Sequence, residues 1–314
     1  AVLMIGEGMN IDYILKCFPI HIRDILNKNL TNEELELLEE IRVRNNLPLI
    51  CKIGQADKVL NYKILTEDIN YIFQKICENS IYTYQNQIAN GYITIQGGNR
   101  VGIVGTAVLH EDKVTNFNYI SGLNFRISRQ ILGCSNSIMQ KIINKEQNTI
   151  YNTLIISMPG MGKTTLLRDI IRNISNGIEG LIDGANIAVI DERGEISATF
   201  KGIMQNDLGI RTDVVNDIPK HIGMRLAIRS MSPKVLAADE IGSKEDSEAI
   251  KYAMCCGVKG IFTAHGESIE DVCKNPELKE LINNKIIERV ILIKNCVFGD
   301  SKKNNRSFNI IKIN

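Results

Sequence analysis

Apolar residues recur at helical spacing through residues 11–26 (Ile11, Ile14, Leu15, Phe18, Ile22, Ile25, Leu26), and Pro19 splits the stretch into two short helices. Thr31 followed by Glu33 and Glu34 reads as a helix start with acids in its first turn, carrying Leu35, Leu37, Leu38 and Ile41. Glu40 to Arg44 then lead into a short strand over residues 47–50. A longer helix opens at Thr66 and runs roughly to Ile88, with Ile69, Ile72, Phe73, Ile76 and Cys77 on one face. From Gly91 the period changes: residues 92–95 and 101–104 flank Gly97, Gly98 and Asn99, the pattern of a β-hairpin. Residues 117–131 add a strand-like stretch with Arg126 and Arg129, and residues 133–152 read as a helix and a polar linker. The first half is α+β.

The second half alternates short buried apolar runs with helical patterns. Strands are expected over residues 154–156, 187–190, 235–238 and 260–264, and helices over 166–171, 219–231, 247–255 and 278–287. Residues 176–184 form a loop, and residues 200–217 are polar and glycine-bearing without a clean period, a long loop or broken helices. Residues 288–293 and 307–313 read as a terminal antiparallel hairpin. Strands alternating with helices predict a parallel α/β sheet, with a domain boundary between 145 and 146.

One stretch carries chemistry at once. Residues 157–165 (SMPGMGKTT) stand between a buried strand and a helix start, the order a phosphate-binding loop needs. Glycine at 160 and 162 lets backbone N–H groups close on a polyphosphate, alongside Pro159, Met161 and Thr165. Lys163 supplies a charge for the β- and γ-phosphates of ATP, and the Thr164 hydroxyl is a ligand for Mg²⁺. The usual motif begins with Gly, and here that place is Ser157.

Further acids and bases stand at the ends of the other strands, where open α/β sheets place ligands. Asp239 and Glu240 after residues 235–238 form a Walker B pattern, with Asp239 supporting Mg²⁺ and Glu240 able to polarise a nucleophile. Asp191, Glu192 and Glu195 form a second acidic group, suited to a metal or general-base role or to a solvated turn. His265 closes the fourth strand, placed to donate to a γ-phosphate or to report its loss. Arg225 and Arg229, four apart on one helix, are either phosphate forks or surface charges.

Composition narrows the classes. The chain has 314 residues, room for one large or two ordinary domains, and its net charge of +1 gives no field for nucleic acid or an anionic membrane. Aromatic content of 5% with no tryptophan argues against a strand-stacking platform, so no nucleic-acid partner is expected. The eight cysteines show no metal-like pairs and read as reduced, cytoplasmic thiols. No apolar stretch reaches the ~20 residues of a membrane span, so any membrane contact is expected to be peripheral. The opening residues 1–5 (AVLMI) are too short, and lack the basic lead, for a secretory signal. Gly102 and Gly105 match an RNA-clamping GxxG spacing, but within a strand pattern rather than between helices.

Taken in order, residues 157–165, the acids 191–195, residues 235–242 and residues 257–266 resemble the secretion ATPase superfamily, which powers type II and type IV secretion and pilus retraction. Residues 40–49 (EIRVRNNLPL), 91–108, 205–213 (QNDLGIRTD) and 229–242 (RSMSPKVLAADEIG) are closer still to the sporulation stage III AA family of endospore-forming bacteria. The resemblance implies a RecA-like ATPase domain behind a smaller α+β domain, assembled as a ring, a hexamer. It implies that Glu195 orients the attacking water and that Asp239 and Glu240 are the Walker B acids. Of the two histidines common in the superfamily's histidine box, the second falls on His265 and the first on Val258. An arginine from the N-terminal domain is also implied, Arg126 or Arg100. The setting implied is the mother-cell cytoplasm, docked on membrane channel proteins between mother cell and forespore. Two readings follow: a Mg²⁺-dependent ATP hydrolase driving that apparatus, or an ATP-binding assembly scaffold with negligible turnover.

Overall fold

Alternation along the strands of the first half gives a sheet with one buried face. The computed structural model describes residues 7–54, 56–295 and 306–313; residues 1–5 and the polar loop of the terminal hairpin lie outside them. The chain divides into two compact units, one running to Arg129 and including Ala198–Gln205, the other comprising Gln130–Ser197 and the chain from Asn206 onward.

In the first unit, Ala56–Lys63, Pro48–Ile53, Leu38–Arg44, Lys113–Arg126, Asn99–His110 and Tyr92–Ile95 lie side by side in that order, all antiparallel. Ile41, Val43, Val101, Leu123 and Phe125 are buried in its core with Phe18, Ile22 and Leu26 of the N-terminal helices. The two short helices around Pro19 are Glu7–Lys16 and Ile20–Asn29, as the spacing predicts.

Three expectations change in this unit. The helix after Thr31 spans only Asn32–Glu36, closed by a capping box between Thr31 and Glu34. Leu38, Ile41 and Val43 instead face the core from a strand, because Glu40 and Arg42 alternate outward. The long helix stops at Ile76, where Glu78 and Asn79 turn left-handed at φ 48° and 61°. Ala56–Lys63 is an unforeseen strand, with Leu60 its one buried residue.

In the second unit the strand order is Thr212–Asn216, Ile187–Asp191, Val235–Ala238, Lys259–His265, Thr153–Ser157, Arg289–Asn295, Arg306–Lys312. The first six are parallel and the last pair is the expected antiparallel hairpin. Both faces are covered. Ile155, Val189, Ala237 and Ile261 meet the helices Asn136–Ile142 and Lys163–Asn176; Leu154, Ile156, Ala188 and Phe262 meet Lys220–Ser230, Lys244–Cys255 and Pro276–Asn283. The edge strand Thr212–Asn216 replaces the expected long loop; Val214 and Val215 are only half-buried, so it carries no apolar run.

The sequence expectation puts residues 130–145 in the first domain, whereas they pack in the second unit. Ile138, Met139 and Ile142 are buried there, and Asp169 accepts from the N–H groups of Gly133 and Ser135 at 2.9 and 2.8 Å. Ala198–Gln205 is a strap of the first unit inserted from the second. Gln205 Oε1 accepts the Gly97 N–H at 2.9 Å, Lys201 pairs with Glu78 at 2.6 Å, and a Cβ on Gly98 would stand 2.3 Å from that of Ala198.

Candidate nucleotide-phosphate site

The strand Thr153–Ser157 runs into the glycine loop, and the helix Lys163–Asn176 starts from it, with Gly162 as its N-cap. Gly160 and Gly162 adopt φ +77° and +89°, backbone that a Cβ disfavours, and a helix N-terminus that begins in this loop is suited to hold an anion. Pro159 and Gly160 are exposed; Met161, Gly162, Thr164 and Thr165 are half-buried. Ser157 is buried; its hydroxyl donates to the Met158 carbonyl at 2.9 Å, and its own carbonyl accepts from Lys163 Nζ at 3.4 Å and the Gly266 N–H at 3.3 Å. The departure from Gly therefore adds a hydrogen bond at the base of the loop.

Register pairs Ser157 with His265, which brings the two strand ends together. Lys163 Nζ lies 3.0 Å from His265 Nδ1, and His265 Nε2 lies 2.6 Å from Glu240 Oε1. An ammonium only donates, so Nδ1 accepts and the ring proton sits on Nε2, facing the carboxylate. Arg193 completes the chain by donating to Glu240 Oε2 at 2.6 Å. Burial pushes the Lys163 ammonium below the ordinary lysine value, against the attraction of Asp239, Glu240 and Glu195.

Asp239 faces the same loop. Its Oδ2 accepts from Thr164 Oγ1 at 2.8 Å and its Oδ1 accepts from the Thr263 hydroxyl. Burial raises its carboxyl above the ordinary aspartate value, and those two hydrogen bonds oppose the shift. Of the second acidic group, Asp191 is buried and holds its own loop, accepting from the N–H of Ile196 at 3.1 Å, the N–H of Ser197 at 2.7 Å and the Ser197 hydroxyl at 2.6 Å. Glu192 pairs with Lys220. Glu195 stays with the cluster, lining one small cavity with Asp191, Asp239 and Glu240.

Three contributors escape sequence reasoning. Thr263 is fully buried between the acids, and Arg168 is half-buried on the loop's helix, donating from Nε to the Glu195 carbonyl at 3.2 Å. Arg193 lies within the acidic stretch, with no role legible there. A threonine two residues before His265, hence on the same face of an otherwise apolar strand, was the available signal. Other candidates stand elsewhere. Arg225 and Arg229 are exposed on Lys220–Ser230 and share no hydrogen bond with this cluster. In the first unit, Arg100 stacks over the Tyr92 ring at 4.7 Å and Arg126 is exposed. Val258 is buried in the core at the start of the strand that His265 ends, about 20 Å away at strand rise.

The family model for sporulation stage III, protein AA matches residues 10–302. This chain belongs to that family. It is 37% identical over 279 residues to the stage III sporulation protein AA of Bacillus subtilis (strain 168), covering 88% of this chain and 89% of that protein. Its fold is that of RecA-like secretion ATPases. It superposes on the pilus retraction motor PilT, solved with bound ADP, at a TM-score of 0.61 and 16% identity, covering 90% of this chain and 81% of the other. It superposes on the Legionella pneumophila ATPase DotB at 0.57 and 15%, covering 93% and 80%. At such identities the likeness speaks for the fold alone.

Proposed function

We propose that this chain is a Mg²⁺-dependent ATPase that works as one subunit of a hexameric ring motor on a sporulation channel apparatus. The mother-cell cytoplasm is its place, against membrane proteins of that apparatus. The observation that carries the reading is convergence: Lys163, Thr164, Glu195, Asp239, Glu240 and His265 come from four strand ends to one loop. Family membership supports the sporulation setting, and the fold shared with the ATPase DotB and the ADP-bound motor PilT supports the activity.

The donor set fits magnesium. Thr164 and Asp239 offer hard oxygens 2.8 Å apart. Among the described residues no three His, Cys, Asp or Glu side chains are grouped to hold a metal by themselves, which suits an ion that keeps waters and substrate phosphates. When bound, Mg²⁺ neutralises charge on the β- and γ-phosphates. Lys163 moves its ammonium from His265 to phosphate oxygens, and the loop N–H groups orient the polyphosphate. Glu195 orients the attacking water. His265, once released by Lys163, senses the γ-phosphate by turning its ring N–H from Glu240 to a phosphate oxygen. Arg225 and Arg229, both exposed, act on this site only if they do so from a neighbouring subunit.

Lys163→Ala tests the reading: phosphate release should fall by at least about 100-fold, the scale of losing one preorganised charge at a reacting phosphate. Equal turnover by the variant would sink it. One observation favours the scaffold alternative: the Glu240 carboxylate is already engaged by Arg193 and His265. Light scattering with and without ATP, beside phosphate release, separates the two; assembly without release points to the scaffold.

A further inference from the structure

We infer that Thr263 is a positioning residue for the acid pair, setting where the carboxylates of Asp239 and Glu240 point. Thr263 sits in the middle of Lys259–His265 and is fully buried, the one hydroxyl among Ile261, Phe262 and Ala264. An apolar β-branched residue would suit that slot for packing alone.

Its hydrogen bonds run to three consecutive residues just past the neighbouring strand Val235–Ala238. The hydroxyl hydrogen goes to Asp239 Oδ1, and the hydroxyl oxygen accepts the Glu240 N–H at 2.8 Å. Its backbone carbonyl accepts the Ile241 N–H at 2.9 Å. The register explains why: Ala238 pairs with Phe262, so the chain leaving that strand passes directly along Thr263.

At Glu240 the backbone is left-handed, φ 52°, a conformation that residues bearing a Cβ reach only when surroundings impose it. The Thr263 oxygen holding the Glu240 N–H is that imposition. The reversal sends the two side chains apart. Asp239 goes to Thr164 on the phosphate loop, and Glu240 to His265 and Arg193. Valine in this place keeps the shape and removes both side-chain bonds, leaving the Glu240 N–H and one Asp239 oxygen without their partner.

The inference rests on Asp239 supporting Mg²⁺, as proposed above. Thr263→Val and Thr263→Ser, made in the full chain, test it with three measurements: Mg²⁺ titration of a fluorescent ATP analogue's binding, phosphate release, and analogue affinity in EDTA. The Val variant should need about 10- to 100-fold more Mg²⁺ for half-saturation and lose a similar factor in kcat, the size of a lost supporting hydrogen bond behind a metal ligand. Ser should recover both, and affinity in EDTA should stay at the parent value. If Val unfolds the sheet, Thr263→Cys, similar in size and a weak donor, carries the same expectation. Parent-like Mg²⁺ dependence in the Val variant overturns the inference, as does a Ser variant as impaired as Val. A parent chain that binds the analogue with Mg²⁺ yet releases no phosphate counts against the motor reading only, since the titration still reads Thr263.

Discussion

Lys163 and Asp239 carry opposite charges, and desolvation pushes both toward neutrality. For activity, the Lys163 cation is lost as pH rises through its lowered value, and the Asp239 anion is lost as pH falls through its raised value. Both limbs therefore move inward. For kcat/KM, which reports the free protein, we expect a bell with its acid limb above the ordinary aspartate value and its alkaline limb below the ordinary lysine value. Limbs at the ordinary values would contradict the burial of these groups. The linkage to stability has the same root. Ionising Asp239 between its unfolded and folded values, and protonating Lys163 between its own, each costs folding free energy, which bound Mg²⁺ and nucleotide offset. At this scale Lys163 and Thr164 were legible from their spacing, because a phosphate loop is local. Thr263 was not, because its partners lie about 24 positions away.

At the scale of elements, the glycine loop and the strand ending in His265 show which departures from pattern matter. Gly162→Ala puts a Cβ on left-handed backbone, expected to cost about 1–2 kcal/mol and to weaken nucleotide binding; unchanged binding and denaturant midpoint would refute the strain. Val258 looks like a missing histidine in the sequence, yet it packs in the core at the far end of the strand. Val258→His should leave phosphate release no higher and cost about 1–3 kcal/mol for an imidazole buried without a partner. A rise in turnover would mean the position does reach the phosphates. Secondary structure was legible where runs are long and buried, as at Ile187–Asp191. It failed at Ala56–Lys63 and Thr212–Asn216, strands whose residues are mostly exposed or half-buried and whose pairing supplies what their pattern lacks.

At the scale of the molecule, the chain passes between the two units three times, because the Ala198–Gln205 strap belongs with the first. The strap begins just past Glu195 and the loop that Asp191 holds. Its anchors are local and separable: the Gln205 bond to Gly97 and the Lys201 pair with Glu78. In Gln205→Ala the Gly97 amide should exchange with solvent faster than in the parent, while amides of the strand Thr153–Ser157 keep their protection. Equal exchange at Gly97 would show that the strap's other contacts hold the turn without Gln205. No helix among the described residues is long and apolar enough to cross a membrane.

By itself the sequence determined the glycine loop between a strand and a helix, the acids and histidine at the neighbouring strand ends, and the parallel sense of the sheet. These follow from local spacing: strand, glycines, lysine and helix start lie within a few residues, and buried runs mark central strands. Only the tertiary structure decided which acid meets which partner. Asp191 turns inward to hold its own loop, Asp239 meets Thr164, and Glu240 meets His265 and Arg193. It also moved Arg225 and Arg229 out to solvent and residues 130–145 into the second unit. The reason is that a carboxylate's role depends on burial and on partners brought by strand register, and register joins residues that the sequence holds far apart.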